Sequence, residues 1–407
     1  MYKATLRILL LLIFFLSFTA ADAQTTDKIV IVIIDGARYT ETFGDASHAY
    51  IPKMWSLSQQ GTLISNFSND NYTFTSRAIP ALWCGAWTDV QDITYQGNST
   101  QYAVLPTIFE YYRKQKSMPS SECVYVLKSL TSLWLPSFDA EYGENYWPEF
   151  HSVGETDNDV ATQAQQVMDN LHPHFLWVYL AEVDHAGHSG NWEYYTKAVF
   201  SADSIVGLLW NKIQSDDFYK NSTTLFVTND HGRHDDQHGG FQGHGCSCEG
   251  CRHIQFLALG PTIKQNYVSS QYRTIPDMAV TASYILGINP SKATGSVMTE
   301  IFNPTGIIAE ANKTFTFNGV SQNPFNNITN ICYSLKKECN VRLEIFSLTG
   351  ELITTLVDER QNEGEKEIAW DAFSCKGKKV KPGIYIFRLQ AGNHCETGKI
   401  VFTDTSF

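Results

Sequence analysis

The sequence has few basic residues and no long apolar run beyond its first 23 residues. Lys and Arg together number 30 against 42 Asp and Glu, which gives a formal net charge of -12. Because binding to the phosphate backbone requires clustered Lys and Arg side chains, we expect no nucleic acid partner. Since a membrane-spanning helix needs about 20 apolar residues, no segment after residue 23 is expected to cross a bilayer.

The N-terminal segment has the three-part pattern of a secretory signal peptide. Lys3 and Arg7 precede the apolar run ILLLLIFFLSF, and the small residues Ala21 and Ala23 follow it. We therefore predict that residues 1–23 are a signal peptide and that the protein is secreted or carried on the cell surface, via the periplasm. A membrane anchor is the alternative, although the run is short for a spanning helix.

The nine cysteines are an odd number, so at least one thiol has no partner within the chain. Export permits disulfides. Cys246, Cys248 and Cys251 lie close together in HGCSCEGC. A local disulfide that pins the loop presenting His244 is the favoured interpretation, and metal binding is the alternative.

The chain divides into two kinds of pattern. Residues 24–303 alternate short apolar strands with helical segments near 107–115, 192–214 and 277–288, which predicts an α/β domain. Residues 304–325 are rich in Asn, Thr, Pro and Gly and are predicted to be a linker. Residues 326–407 contain alternating strands separated by turn residues, which predicts a small all-β sandwich of immunoglobulin size. The apolar stripe of the segment 192–214 is assigned to core packing; it comprises Tyr195, Val199, Ala202, Val206 and Leu209.

Acidic and imidazole side chains follow three apolar runs, IVIVII, VYL and LFVT, that are typical of buried parallel strands. In an open α/β sheet, ligands gather outside the carboxyl ends of the strands, so we expect the three segments to converge. Carboxylate and imidazole ligands suit zinc, and two ions about 4 Å apart can activate a nucleophile and stabilise a leaving group. The pattern predicts a two-metal hydrolase. The side chains concerned are Asp35, Asp184, His188, Asp230, His231 and a later His244.

Each of these motifs has a simpler interpretation when it stands alone. Asp35-Gly36 could be a cap with a tight turn, and Asp230 could be a helix N-cap. Asp184 and His188 are expected on a strand-to-loop turn, where Gly187 would allow the bend that brings the carboxylate and the imidazole to one ion. Together with a nucleophile, the motifs favour the metal site.

The nucleophile is expected at the start of a helix, where the backbone dipole favours an anionic substrate. The segment YTFTSRAIPALWCG offers three hydroxyls, on Thr73, Thr75 and Ser76. Thr75 is taken as the nucleophile because of its spacing from the other motifs in a family that the chain resembles. A Thr75 that only caps the helix is the alternative.

Residues 28–302 resemble the alkaline phosphatase superfamily, in its branch of threonine-nucleophile phosphatases and nucleotide pyrophosphatase/phosphodiesterases. The order and spacing of Asp35, Thr75 with Gly85, Asp184 with His188, Asp230-His231 and His244 carry the resemblance. It implies a doubly wound α/β alkaline-phosphatase-like catalytic domain with two Zn²⁺ ions, although iron or manganese could use the same donors. One ion would bind Asp184, His188 and His244, and the other would bind Asp35, Asp230, His231 and the Thr75 hydroxyl. The further histidines His185, His234 and His238 are expected to face solvent or to support the ligands.

Departures from the family pattern affect the expected substrate. Sulfatases of the superfamily carry a Cys/Ser-x-Pro-x-Arg motif, which Thr75-Ser76-Arg77 lacks, so sulfate esters are disfavoured. Arg77 is a candidate for phosphate binding, with a salt-bridged structural role as the equal alternative.

Phosphomonoesterases of the branch carry an Asn after the nucleophile helix and a Lys-x-Arg pair that binds the phosphate dianion. Asn98 and Lys128 correspond by position, but Leu130 stands where the Arg would be. Since the missing Arg removes a bidentate contact to a phosphate dianion, monoanionic diesters remain candidate substrates beside monoesters.

The C-terminal region resembles the type IX secretion sorting domain of Bacteroidetes-like bacteria, in segments such as NPF, GEL, WD and PGIYIFRL. The resemblance implies export by that secretion machinery. A carbohydrate-binding or spacer sandwich is the alternative.

We therefore predict a secreted two-zinc phosphohydrolase that cleaves a small phosphorylated substrate through a phosphothreonine at Thr75. The alternatives are a phosphodiesterase or nucleotide pyrophosphatase, and a catalytically silent surface binding protein. No membrane anchor would remain after removal of the signal peptide.

Overall fold

The computed structural model describes residues 26–128, 134–303, 315–348, 350–391 and 394–403. They belong to two compact units, Met1–Asn303 and Pro304–Phe407. The predicted signal peptide and Leu130 lie outside the described residues. Within the described part of the chain, no helix is both long enough and apolar enough to cross a membrane.

The first unit alternates strands and helices. Its strands are β1 (Lys28–Ile34), β2 (Thr62–Ser68), β3 (Val90–Tyr95), β4 (Asn98–Ala103), β5 (Cys123–Leu127), β6 (Trp134–Leu135), β7 (Glu149–Ser152), β8 (Phe175–Leu180), β9 (Thr223–Thr228), β10 (His253–Leu259), β11 (Tyr267–Ser269) and β12 (Arg273–Thr274). Its helices are α1 (Pro52–Ser58), α2 (Thr75–Cys84), α3 (Ile108–Lys116), α4 (Asp157–Asn170), α5 (Glu182–His188), α6 (Trp192–Ser215), α7 (Glu249–Arg252) and α8 (Ile275–Leu286).

A nine-stranded mixed sheet forms the centre of this unit, in the order β11-β2-β10-β9-β1-β8-β5-β7, with β12 beside β2. Strands β8, β1 and β9 are adjacent and parallel, as their apolar runs predict, whereas β10 is antiparallel to both β9 and β2. All seven residues of β1 are buried, because helices cover the sheet on both faces. Helices α1, α4 and α6 pack on one face, and α2, α3 and α8 lie on the other.

The predicted helices coincide with α3, α6 and α8, and the α/β prediction is confirmed. The stripe of α6 that was assigned to core packing is buried along its whole length. From the same helix, the buried carboxylate of Asp203 accepts the backbone N–H groups of Lys53 and Met54 at 2.9 and 2.7 Å. This carboxylate therefore caps the N-terminus of α1, where the first N–H groups have no partner within the helix.

The second unit consists of a three-stranded and a four-stranded sheet, in the orders β13-β14-β17 and β16-β15-β18-β19. Side chains from both sheets share one apolar core, which includes Tyr333, Leu343, Trp370 and Phe387. The all-β sandwich is therefore confirmed, and β13 lies in the segment predicted to be a linker. The strands are β13 (Phe315–Ser321), β14 (Thr329–Leu335), β15 (Cys339–Ser347), β16 (Leu352–Gln361), β17 (Gly364–Trp370), β18 (Gly383–Ala391) and β19 (His394–Phe402).

Candidate active site

The candidate site lies at the carboxyl ends of the three adjacent parallel strands β8, β1 and β9. Asp35 directly follows β1, Asp230 and His231 follow β9, and α5 begins two residues after β8. Since these ends meet at one edge of the sheet, the topology brings together the segments that the sequence predicted would converge.

Asp184 and His188 lie one turn apart on α5, not on the predicted strand-to-loop turn. The helical spacing places their side chains on one face, with Asp184 Oδ2 3.3 Å from His188 Nε2. The N-terminus of α5 is capped by a residue of α4, because the Asp157 carboxylate accepts the N–H groups of Ala181 and Glu182 at 2.9 and 3.1 Å. Burial raises the pKa of Asp157 to about 6.

Gly187 has a different role from the predicted one, because its backbone is helical rather than bent. A Cβ atom at this position would clash with the guanidinium carbon of Arg233. The guanidinium is fully buried and places Nη1 2.5 Å from Asp184 Oδ1. Gly36, at φ +67°, has a similar role, since its Cβ would lie 2.8 Å from Asp184 Oδ1. The two glycines therefore make room for the pair of Asp184 and Arg233.

His231 is fully buried between the groups of the site. Its Nδ1 lies 2.8 Å from the carbonyl oxygen of Gly232, and a carbonyl can only accept, so Nδ1 carries the proton. Nε2 therefore presents a lone pair, 3.4 Å from Asp35 Oδ1 and 3.5 Å from Asp230 Oδ2. Ligand atoms of these three residues lie within 4.8 Å of one another.

A second group of ligand atoms centres on His244. Its Nδ1 lies 3.0 Å from the carbonyl oxygen of Thr73, which leaves Nε2 as the free lone pair. That Nε2 is 3.5 Å from Asp184 Oδ1 and 3.0 Å from His188 Nε2. Ligand atoms of Asp184, His231 and His244 also lie within 4.8 Å of one another. His231 thus belongs to both groups.

The electrostatics of the site favour cations. Burial raises the pKa of Asp35 well above its ordinary value, and the charges of Asp230 and Asp184 add to this effect. Burial and then Asp184 raise the pKa of Asp230 to about 7, and Asp230 Oδ2 has no hydrogen-bond partner although it is buried. Burial lowers the pKa of His244 to about 4. Buried carboxylates beside imidazole nitrogens are the donor set that divalent cations use, so these residues fit a two-metal centre.

Thr75 is the first residue of α2 and faces these groups. Its Oγ1 lies 3.1 Å from His231 Nε2 and 3.4 and 3.5 Å from the two carboxylate oxygens of Asp35. The alternative Thr73 is buried and donates its hydroxyl to the carbonyl of Cys246 at 2.7 Å. Among the two threonine hydroxyls, Thr75 is therefore the one presented to the metal groups.

Three residues of the site were missed at the sequence level. Besides Arg233, the Tyr179 hydroxyl donates to Asp35 Oδ2. Asn229 Nδ2 donates to the carbonyls of Ala37 and His231, both at 2.8 Å, which ties the ends of β1 and β9 together. Arg233 and Asn229 lie next to the Asp-His-Gly motif, and this proximity is the one signal the sequence carried.

The candidate substrate-binding residues lie in different surroundings. Lys128 Nζ is 3.2 Å from Nδ1 of His185, and the pKa of this imidazole is lowered by partial desolvation and then by Lys128. Arg77 pairs with Asp89 at 3.1 Å and lies over the ring of Tyr72, which supports the structural interpretation that the sequence left open. The hairpin of β3 and β4 carries Asn98, which is exposed and paired with Tyr95.

The remaining histidines were expected to face solvent or to support the ligands. His238 is exposed and pairs with Asp235 at 2.6 Å, and His185 is exposed. His234 does not face solvent with its Nε2, which is buried and has no hydrogen-bond partner. The cysteines beside it, Cys246 and Cys251, are free thiols, so the favoured local disulfide is absent from the structure.

Comparison with known proteins gives a family match for part of the chain and a fold match for most of it. Residues 149–287 match the model of the Metalloenzyme superfamily. No curated protein matches the chain. A structure from glycosaminoglycan metabolism in Bacteroides thetaiotaomicron is similar at a TM-score of 0.51 and 12% identity, over 82% of this chain and 90% of that chain.

Two further structures are similar at lower scores. Murine ectonucleotide pyrophosphatase/phosphodiesterase 5 has a TM-score of 0.49 and 13% identity, over 68% of this chain and 100% of that chain. A protein of the alkaline phosphatase superfamily from Vibrio parahaemolyticus has a TM-score of 0.48 and 13% identity, over 88% of this chain and 83% of that chain. At such identities the likeness concerns the fold alone. The first unit therefore has a mixed α/β core similar in fold to the structure from Bacteroides thetaiotaomicron, and its residues 149–287 match the Metalloenzyme superfamily.

Proposed function

We propose that the protein is a secreted two-metal hydrolase of phosphate esters in which Thr75 is the nucleophile. The observation that carries this proposal is the position of Thr75 Oγ1, 3.1 Å from His231 Nε2 and 3.4 Å from Asp35 Oδ1. A hydroxyl at the start of a helix, beside carboxylates and imidazoles, has the surroundings that an activated nucleophile requires.

Two groups of residues would each hold one metal ion, and Thr75 would act as the nucleophile. Asp184, His188 and His244 would hold one divalent ion, and Asp35, Asp230 and His231 would hold the other. The bound ions would supply the positive charge that lowers the pKa of a hydroxyl and stabilises the leaving group. Thr75 Oγ1 gives its proton to solvent and bonds to phosphorus as the bond to the leaving oxygen breaks, and the leaving oxygen takes up a proton from solvent. Water then attacks the phosphothreonine, which releases phosphate and restores the hydroxyl.

We assign the substrate to phosphate esters because a cationic side chain lies beside the same groups. Lys128 Nζ is 3.2 Å from His185, and His185 directly follows Asp184. The first N–H groups of α2 add donors for an anion, since they lack partners within the helix. Arg77 is engaged by Asp89, so we assign it the support of this helix rather than phosphate binding.

Hydrolysis of p-nitrophenyl phosphate, bis-p-nitrophenyl phosphate and p-nitrophenyl sulfate by the zinc-loaded protein tests the proposal. We expect the two phosphates to be cleaved faster than the sulfate, and Thr75→Ala to lose at least about a thousandfold in kcat/KM. Ser76→Ala, which removes the neighbouring hydroxyl of the same helix turn, is the matched control and should retain activity.

The ratio of monoester to diester turnover distinguishes a phosphatase from the phosphodiesterase alternative. Full activity in Thr75→Ala would exclude this residue as the nucleophile. A protein that binds zinc but cleaves none of the esters would instead be the silent binding protein.

We further propose that the second unit directs export, as its resemblance to a sorting domain implies. The test compares the full chain with a chain that ends at residue 303 in a bacterium with type IX secretion. Export of the full chain and periplasmic retention of the shorter one are expected. Equal export of both would leave the sandwich with a spacer role.

A further inference from the structure

A cluster of sulfur and imidazole ligands lies outside the proposed catalytic groups. Cys246 Sγ and Cys251 Sγ are 3.7 Å apart, and one ring nitrogen of His234 lies within 4.8 Å of both. Cys248 lies between the two cysteines in the chain, and its Sγ is within 4.8 Å of ligand atoms of Asp235 and His238. All three cysteines are free.

One atom of this cluster has no partner in the protein. His234 Nε2 is buried and makes no hydrogen bond. Leaving a buried polar atom unpaired destabilises the folded state, so such an atom indicates a missing partner. A disulfide between two of the cysteines would not supply one. A cation bound by the thiolates would.

The separation of the sulfur atoms has the size expected for a shared metal ion. Zn–S bonds of about 2.3 Å at tetrahedral angles hold two sulfur atoms about 3.8 Å apart, whereas a disulfide requires about 2.05 Å. The observed distance is 3.7 Å. Cys246 Sγ also accepts the N–H of Cys248 at 3.3 Å, as metal-bound thiolates do.

From these observations we infer that His234, Cys246, Cys248 and Cys251 bind a structural zinc ion. Three cysteines and one histidine form a complete tetrahedral set, which leaves no open position for a substrate. The neighbouring Asp235 and His238 pair with each other at 2.6 Å. Gly250 permits the arrangement, since a Cβ there would lie 2.5 Å from the carbonyl oxygen of Arg233.

The ion would fix the loop that carries His244. Thr73 donates its hydroxyl to the carbonyl of Cys246 at 2.7 Å, and its own carbonyl accepts from His244 Nδ1 at 3.0 Å. His234 N also donates to Gly243 O at 2.8 Å. The zinc site would therefore position His244, a proposed ligand of the catalytic metal centre, and the segment that leads into α2.

Metal analysis of the full chain tests this inference without using activity. Wild type should contain about one zinc ion more per chain than Cys251→Ser. Cobalt-loaded wild type should show thiolate-to-cobalt charge transfer, and this absorption should persist in Asp230→Asn, in which the proposed catalytic centre is altered. Cys332→Ser, in the second unit, is the matched control and should keep both the metal content and the spectrum.

If Cys251→Ser does not fold, His234→Ala and the cobalt spectrum of wild type still decide the question. A charge-transfer band that is weakened by His234→Ala supports the site. A cobalt spectrum without thiolate character, or a disulfide within residues 246–251 found by mass spectrometry of the unreduced protein, overturns it. Neither result bears on Thr75, so the inference and the proposed function fail independently.

Discussion

Gly187 shows how a single missing methyl group shapes the site. In an isolated helix, replacing Gly by Ala stabilises by about 1 kcal/mol. Here the new Cβ would clash with Arg233, whose guanidinium is fully buried and paired with Asp184. A displaced Arg233 would leave a buried charge unpaired, which costs about 3–5 kcal/mol. The steric and electrostatic loss therefore outweighs the gain in helix propensity.

We accordingly predict that Gly187→Ala lowers both the melting temperature and the zinc affinity. The loss of affinity should be about 10–100-fold, as for other groups that orient metal ligands. Gly207→Ala on α6 is the matched control, because the nearest atoms to its Cβ would belong to the Lys53 side chain, at 3.2 Å or more. Calorimetry and zinc titration measure both effects. A stabilised Gly187→Ala protein with unchanged affinity would contradict this role of the glycine.

At the residue scale, the sequence identified candidate metal ligands but not the side chains that hold those ligands in place. Asp35, Asp230 and His231 could be proposed because they follow apolar strands. Arg233, Tyr179 and Asn229 could not, since their roles depend on contacts between segments far apart in the chain, such as the Arg233 pair with Asp184. For His234 the sequence left open whether it faces solvent or supports the ligands, because neither pattern nor spacing reports the burial of one ring nitrogen.

At the element scale, α5 shows where local pattern fails. The seven residues EVDHAGH are too few to form a stable helix alone. Their helix is stabilised by Asp157, which caps it from 24 residues earlier in the chain. By contrast, α6 is 24 residues long and has a regular apolar stripe, so its sequence was sufficient to predict it.

A second capping carboxylate, Asp203, gives a testable pH dependence. Burial raises the pKa of Asp203 from 3.8 to about 6. The folded state therefore binds more protons than the unfolded state between these values, and stability falls as the pH rises through them. We predict that the free energy of unfolding of wild type, relative to Asp203→Asn, declines from pH 4 to pH 6 and is constant above.

Denaturant unfolding at a series of pH values measures this difference. Asp169→Asn, at an exposed carboxylate, is the control and should show no such decline. A difference that rises with pH would show that Asp203 is stabilised as the charged form, contrary to the effect of its burial.

At the scale of the whole molecule, bound ions should contribute to folding stability. Each site occupied at 100 times its Kd adds about 2.7 kcal/mol. Without ions, Asp35, Asp184 and Asp230 repel one another in a buried setting. We predict that a chelator at pH 8 lowers the melting temperature of wild type, and that added zinc restores it.

Asp230→Asn provides the matched comparison, because it removes one of the like charges. After chelation it should melt at a higher temperature than chelated wild type, although it binds zinc more weakly. Thermal unfolding followed by circular dichroism measures both proteins. If chelation changes neither melting temperature, the carboxylate group does not bind stabilising ions.

The order of the strands also determines which part of the molecule opens first. Strands β8, β1 and β9 each have a hydrogen-bonded neighbour on both sides, and the edges of the sheet are β7 on one side and β11 and β12 on the other. Fraying begins at such edges, so amide hydrogen exchange should be slowest in the three strands that carry the site. The catalytic groups would then remain assembled through partial unfolding, and inactivation would coincide with the global loss of the first unit.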